Sequence, residues 1–217
     1  TSNIGLGANA VDSITTGDGN TGLGDNALTA NTTGSYNAAF GDQAMITNTT
    51  GSHNHAVGRY ALKLNLTGTY NDAMGYAALE NNTSASYNVA IGGTALRANT
   101  TGTNNTAVGY SSLLANTTGI DNVALGAYAL DANTTASNNT GVGYKALSAN
   151  TTGASNTALG RLALRANTTG DNNVSLGEGS LYSNTTADNN TAVGKDSLTA
   201  NTTGARNIAI GHSALLA

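Results

Sequence analysis

The sequence predicts an all-β fold: a parallel β-solenoid, or β-roll, of about thirteen coils with seventeen residues per coil. Three observations predict it. Glycine recurs at 7, 24, 41, 58, 75, 92, 109, 126, 143, 160, 177, 194 and 211, seventeen residues apart without a slip. An asparagine stands four residues before every one of these glycines, from Asn3 to Asn207. The side chains are small, with 34 Thr, 31 Asn and 28 Gly among 217 residues, and no Pro, Cys or Trp. A seventeen-residue unit cannot bury an apolar face alone, so copies that recur without insertions must stack on one another.

Counting the recurrent asparagine as repeat position 1, the consensus is N-x-A-[VIL]-G-x-x-A-L-x-A-N-T-T-G-x-x, seen clearly in residues 105–116 (NTAVGYSSLLAN) and 156–167 (NTALGRLALRAN). Positions 1 to 5 alternate in polarity and end on glycine, which reads as a short strand, and strands of successive copies would pair in parallel about 4.8 Å apart. Position 4 is always a sizeable apolar residue (Leu6, Leu23, Phe40, Val57, Met74, Ile91), and position 9 is Leu in eleven of thirteen copies, with Val11 and Met45 as substitutes. Both are expected inside.

The second half of each copy reads two ways. Gly at 5, Ala at 8, Leu at 9 and Asn at 12 fall at helical spacing. Regular helices, however, cannot approach closer than about 8 Å, which would splay the copies apart. A tight coil is the favoured reading; an α/β solenoid with a short helical turn per coil stays open. Two large apolar side chains per coil are little burial for seventeen ordered residues. The recurrent Ala and Gly positions then suggest a second buried surface against another backbone, hence self-association as a trimer or filament. Residues 1–217 form one repeat array, expected to be a segment of a longer fibre because neither end carries a polar capping unit.

Composition removes several functional classes. Without Cys there is no zinc or disulfide framework, and no apolar run is long enough to insert in a membrane. Eight Lys and Arg against twelve Asp and Glu leave a charge of −4 and no basic stripe, so nucleic acid is not an expected partner. His53, His55 and the distant His212 do not make a metal set, and no calcium signature, P-loop or nucleophile–base pair occurs. No cofactor and no enzyme activity are expected.

The recurrent residues carry the remaining readings. The position-1 asparagines, among them Asn37, Asn54, Asn71, Asn88, Asn105, Asn122, Asn139 and Asn156, are expected to form a structural ladder of inward amides. At position 12, Asn31, Asn48, Asn65, Asn82, Asn99, Asn116, Asn133, Asn150, Asn167, Asn184 and Asn201 each open an N-x-[ST] acceptor sequence. They are candidate N-glycosylation sites if their turns face solvent; the alternative is a turn-forming Asn followed by a threonine ladder. The Thr-Thr pairs also resemble the hydroxyl arrays of ice-binding solenoids, but adjacent threonines point to opposite faces. Tyr36, His53, Tyr70 and Tyr87 occupy position 17 of four successive copies, an aromatic ladder that would stack on itself or on sugar rings.

The strings Asn88-Val-Ala-Ile-Gly92, Asn122-Val-Ala-Leu-Gly126 and Asn207-Ile-Ala-Ile-Gly211, with Ala95, Ala129 and Ala214 three residues after the glycine, resemble the head repeats of trimeric autotransporter adhesins, N-S-V-A-I-G-x-x-S-x-A-x-G. Similar N-T-A-[VI]-G arrays occur in phage tail-fibre-like proteins. The resemblance covers the chain copy by copy. It implies a left-handed parallel β-roll, three chains side by side and a location on a bacterial surface. This sequence departs from the family in its longer coil and its Thr-Thr-Gly turn, and it shows no coiled-coil stalk or membrane anchor. The function expected is an extracellular or cell-surface structural, adhesive fibre, decorated with glycans if position 12 is exposed. The alternative is a receptor- or glycan-binding head that contacts a host surface or glycans, and a weaker one is an ice-binding solenoid.

Overall fold

A computed structural model describes residues 2–216. The chain divides into two compact units, Thr1–Asn105 and Thr106–Ala217. In the first unit the strands are β1 (Ile4–Leu6), β2 (Thr21–Leu23), β3 (Ala38–Phe40), β4 (His55–Val57), β5 (Asp72–Met74) and β6 (Val89–Ile91). They pair in sequence order and in parallel, each residue with the one seventeen further on, as in Thr21 with Ala38. The second unit repeats the scheme with β7 (Thr106–Val108), β8 (Val123–Leu125), β9 (Thr140–Val142), β10 (Thr157–Leu159), β11 (Val174–Leu176), β12 (Thr191–Val193) and β13 (Ile208–Ile210). Both units are parallel β-solenoids with one strand per seventeen-residue coil. No helix occurs among the described residues, so the second half of each coil is the tight coil and not a helical turn.

Each strand covers positions 2 to 4 and ends where position 5 leaves the β region. The position-5 glycines have φ between 121° and 141°, a conformation open to glycine and closed to residues with a Cβ. Stacking imposes a second restriction: a Cβ on Gly109 would lie 2.6 Å from the Gly126 carbonyl carbon of the next coil. Turns follow over positions 6 to 11, and they contain residues in the left-handed region that are not glycine, such as Tyr128 (φ 59°) and Leu130 (φ 53°). Such a conformation costs roughly 1–2 kcal/mol per residue. It is held by bonding on both sides: Leu130 N donates to Ala146 O at 3.0 Å and Leu130 O accepts from Asn133 N at 3.1 Å. Position 17 is left-handed as well, and Asn104, Asn138, Asn172 and Asn189 stand there, the residue type that tolerates αL best after glycine.

The interior is narrower than the repeat suggested. In the ten coils from Asn20 to Ala187 six positions are buried: Asn at 1, the small residue at 3, Ala or Ser at 8, Leu or Met45 at 9, Asn at 12 and Gly or Ala at 15. Only one of them, the leucine, is large and apolar. Leu113, Leu130, Leu147 and Leu164 are fully buried, each contributing about 1.5–3 kcal/mol through removal from water. Position 4, expected beside it in the core, faces outward instead: Met74 is 47% exposed and Leu159 44%. Strand parity is the cause, because the small position-3 residue takes the inward direction and positions 2 and 4 take the other. The small residues do not mark a second chain's backbone either. They meet inside the same coil, where a Cβ on Gly22 would stand 3.2 Å from the Ala27 carbonyl oxygen and 3.6 Å from the Ala27 Cβ.

Candidate functional site

Two buried asparagine files converge on one carbonyl per coil. In the first unit Asn37 N and Nδ2 both donate to Asn20 Oδ1, at 3.0 and 3.1 Å, and Nδ2 also donates to Gly51 O at 2.8 Å. From the position-12 file, Asn48 Nδ2 donates to the same Gly51 O at 2.9 Å and to Asn31 Oδ1 at 2.8 Å. Asn54, Asn71 and Asn88 continue the position-1 file, each taking Nδ2 to the position-15 carbonyl of its own coil, and Asn105 donates to Asn88 Oδ1. Asn65, Asn82 and Asn99 continue the position-12 file in the same manner. In the second unit Asn139 donates to Asn122 Oδ1 and Gly153 O, and Asn156 to Asn139 Oδ1 and Gly170 O. Asn150 and Asn167 reach the same two carbonyls from position 12, at 2.8 and 2.9 Å. Buried amides bonded in this way avoid the desolvation penalty of unpaired polar groups.

This geometry bears on the N-x-[ST] sites. The condition that their turns face solvent is not met at the asparagines: Asn31, Asn48, Asn65, Asn82, Asn99, Asn116, Asn133, Asn150, Asn167 and Asn184 are fully buried. At Asn48, Asn65, Asn133 and Asn150 both hydrogens of Nδ2 are engaged. A glycan on Nδ2 would replace one of those hydrogens and would have no space within the folded coil. Asn201 is half-buried and makes the same two bonds. The asparagine builds the Thr-Thr-Gly turn by donating to its position-15 carbonyl.

The two threonines of that turn divide their roles. At position 13, Thr32, Thr83, Thr134, Thr151 and Thr168 each donate Oγ1 to the carbonyl of the equivalent residue in the next coil, at 3.0–3.1 Å. At position 14 the side chains are exposed in every coil from Thr16 to Thr203. The Thr-Thr pairs therefore present one outward hydroxyl file and not a two-file plane.

Outward files carry the remaining chemistry. Position 4 is an apolar stripe, and position 2 lies beside it on the same face. In the first unit position 2 includes His55 and Asp72, whose Nδ1 and Oδ1 are 2.7 Å apart. In the second unit it holds only Thr, Val and Ile, so that face has no charge across β7–β13. Tyr36, His53, Tyr70 and Tyr87 stack with ring centroids 4.8–5.3 Å apart. Their inner ring faces are covered by one another, so His53 and Tyr70 offer a sugar only their edges. Charges elsewhere pair along the stack, Arg97 with Glu80 at 2.7 Å and Arg161 with Glu178 at 2.8 Å, exposed contacts of small energetic weight.

One groove, of about 290 Å³, lies in the second unit between Asp131, Lys145, Ser148 and Arg165. Asp131 Oδ1 is shielded from water and has no hydrogen-bond partner. Burial raises the Asp131 pKa above its ordinary value, opposed in part by the backbone amides of Asp131 and Ala132 and by Lys145. Lys145 Nζ stands 5.6 and 5.5 Å from the Tyr128 and Tyr144 ring centroids, and Arg165 bonds the Tyr182 hydroxyl at 2.5 Å. Among the described residues no group of three His, Cys, Asp or Glu is placed to hold a metal ion, and no helix is long and apolar enough to cross a membrane. The histidines lie apart in role, His53 in the aromatic stack, His55 on Asp72 and His212 beside Ser213.

Sequence reasoning missed the outward direction of position 4, although position 2 signalled it. His55 and Asp72 share that position with Thr and Val, and a residue two further along a strand shares its face. Comparison with protein-family models, with curated proteins and with solved structures gives no match.

Proposed function

We propose that this chain is a segment of an extracellular structural, adhesive fibre whose coils associate side by side with copies of the same chain, as a trimer or a filament. The observation that carries this reading is the outward apolar file at position 4. It recurs once per coil, from Leu6 to Ile210, with ten of the thirteen side chains exposed and Val108, Val142 and Val193 half-buried. Within either unit, an apolar stripe of this kind marks an association surface. A second copy is its simplest occupant, since an identical periodic file meets it rung for rung at the same spacing. In the resembling adhesin heads three chains lie side by side, which agrees with this reading. Electron microscopy of material from the natural source, with antibody labelling of intact cells, tests it. Labelled fibres of laterally associated chains outside the cell are expected; isolated particles confined to the cell interior would overturn it.

A glycan-binding head is the second reading, favoured by the groove of Asp131, Lys145 and Arg165 with Tyr128, Tyr144 and Tyr182 around it. A glycan array probed with the parent chain and with the Lys145→Ala, Arg165→Ala double variant tests it. Binding lost in the variant supports the head, and equal signals from both remove it.

A further inference from the structure

We propose that the second threonine of each Thr-Thr pair is an attachment site for an O-linked saccharide. Position 14 is exposed and keeps a hydroxyl in every copy. Position 14 holds Thr in eleven of the twelve copies that reach it and Ser84 in the other. Position 6, by contrast, runs through Ala, Asp, Arg, Tyr, Gly, Glu, Lys and His. Position 14 is exposed in all twelve copies, and among the described residues no group bonds its hydroxyl.

Packing and propensity do not account for that constancy. Strand preference is met by a β-branched shape, yet Val and Ile never occur at position 14, and the single exception keeps the hydroxyl and drops the methyl group. The neighbouring threonine shows what a structural hydroxyl does here. At position 13 Oγ1 donates across the stack, as Thr134 does to Thr151 O at 3.1 Å, and Leu66 replaces it once. The hydroxyl with a bond inside the protein is thus the dispensable one. The hydroxyl without a bond is kept throughout.

The surroundings suit a transferase. Position 14 is followed by Gly or Ala and preceded by a half-buried residue in most copies, so Oγ projects from a wall of small groups. Its backbone amide is already bonded across the stack, as in Thr152 N to Thr168 O at 3.2 Å, which fixes the acceptor. In the step itself an external glycosyltransferase takes the Oγ proton on a general base. Oγ then bonds to the anomeric carbon of a sugar nucleotide, and the nucleoside diphosphate leaves with the electrons of the broken C–O bond. Phosphate is a poorer candidate for the same hydroxyls. Equivalent groups recur about every 4.8 Å, inside a Debye length of about 8 Å, where successive dianions would repel; a neutral saccharide escapes this. The same spacing keeps rings from filling every rung, so occupancy near every second coil is expected.

This inference stands on position 14 alone and does not need the fibre reading. Its test is intact-mass and fragmentation spectrometry of protein from the natural source, before and after mild alkali. Saccharide increments that alkali removes, leaving dehydrated threonine at sites such as Thr118, Thr135, Thr152 and Thr169, are the expected result. Bare hydroxyls at all twelve positions, or sugars found only on position 13 or on asparagine, would overturn it. Two fourfold variants complete the test. Thr118→Val, Thr135→Val, Thr152→Val, Thr169→Val should lose four candidate sites and melt with the parent. Thr117→Val, Thr134→Val, Thr151→Val, Thr168→Val should melt lower. An equal loss of stability in both would make position 14 structural and sink the proposal.

Discussion

Leu113 and Leu125 are the same residue type in the same unit, and they live in opposite surroundings. Leu113, at position 9, is fully enclosed; Leu125, at position 4, is 37% exposed. Each belongs to a file that recurs with every coil, so recurrence and hydrophobicity do not separate them. What separates them is backbone geometry. Leu113 is turned inward by a left-handed conformation (φ 49°) that local preference opposes, whereas Leu125 is turned outward by strand parity. The inward file holds the coil together, and the proposed association of chains rests on the outward file.

Truncation of the two leucines is the strongest way to break that contrast. Leu113→Ala should cost about 2–5 kcal/mol in chemical denaturation, and Leu125→Ala no more than about 1 kcal/mol under conditions that keep the chain monomeric. Equal losses would mean that both files are core. The asparagine files come next. Asn139→Ala removes the Nδ2 donor from Gly153 O and the Oδ1 acceptor from Asn156 N and Nδ2, and a destabilisation of about 1–3 kcal/mol per buried group left unpaired is expected from the same measurement.

Smaller effects sharpen the backbone side of the comparison. Ser155, exposed at position 17, has φ 58°. Ser155→Gly should stabilise by about 1 kcal/mol or less and Ser155→Val should destabilise, with thermal melting as the readout. The smallest effect concerns Asp131, whose folded pKa is raised chiefly by burial. Ionisation then works against the fold: the penalty is absent below the ordinary carboxylate range, grows as pH rises through it, and is complete above the folded pKa. Asp131→Asn should therefore be more stable than the parent at neutral pH, and the two should converge in acid. A difference that widened on acidification would contradict the burial of that carboxylate.

The period, a short strand within positions 1 to 5, the glycine that ends it and the inward asparagine at position 1 were legible in the sequence. A stack repeats its environments, and those environments demand particular residues: a glycine where backbones nearly touch, an amide where a carbonyl must be met. Three features were not legible in the same way. The N-x-[ST] pattern at position 12 is shared by an exposed acceptor and a buried turn-former, and only packing separates them. Leu at position 9 adopts a left-handed conformation that its own preference disfavours, so no local signal announces it. The apolar constancy of position 4 imitates a core file, and the polar residues that betray its face, His55 and Asp72, stand two residues away.

Sedimentation velocity on the parent chain and on a variant carrying Val108→Thr, Leu125→Thr, Val142→Thr and Leu159→Thr compares the two files most directly. These four changes touch only the outward file of the second unit. The parent is expected to sediment as an oligomer and the variant as a smaller species, with the same circular dichroism and melting behaviour at monomeric concentration. A monomeric parent, or a variant as associated as the parent, would contradict an associating outward file, and a variant that unfolds would place that file in the core.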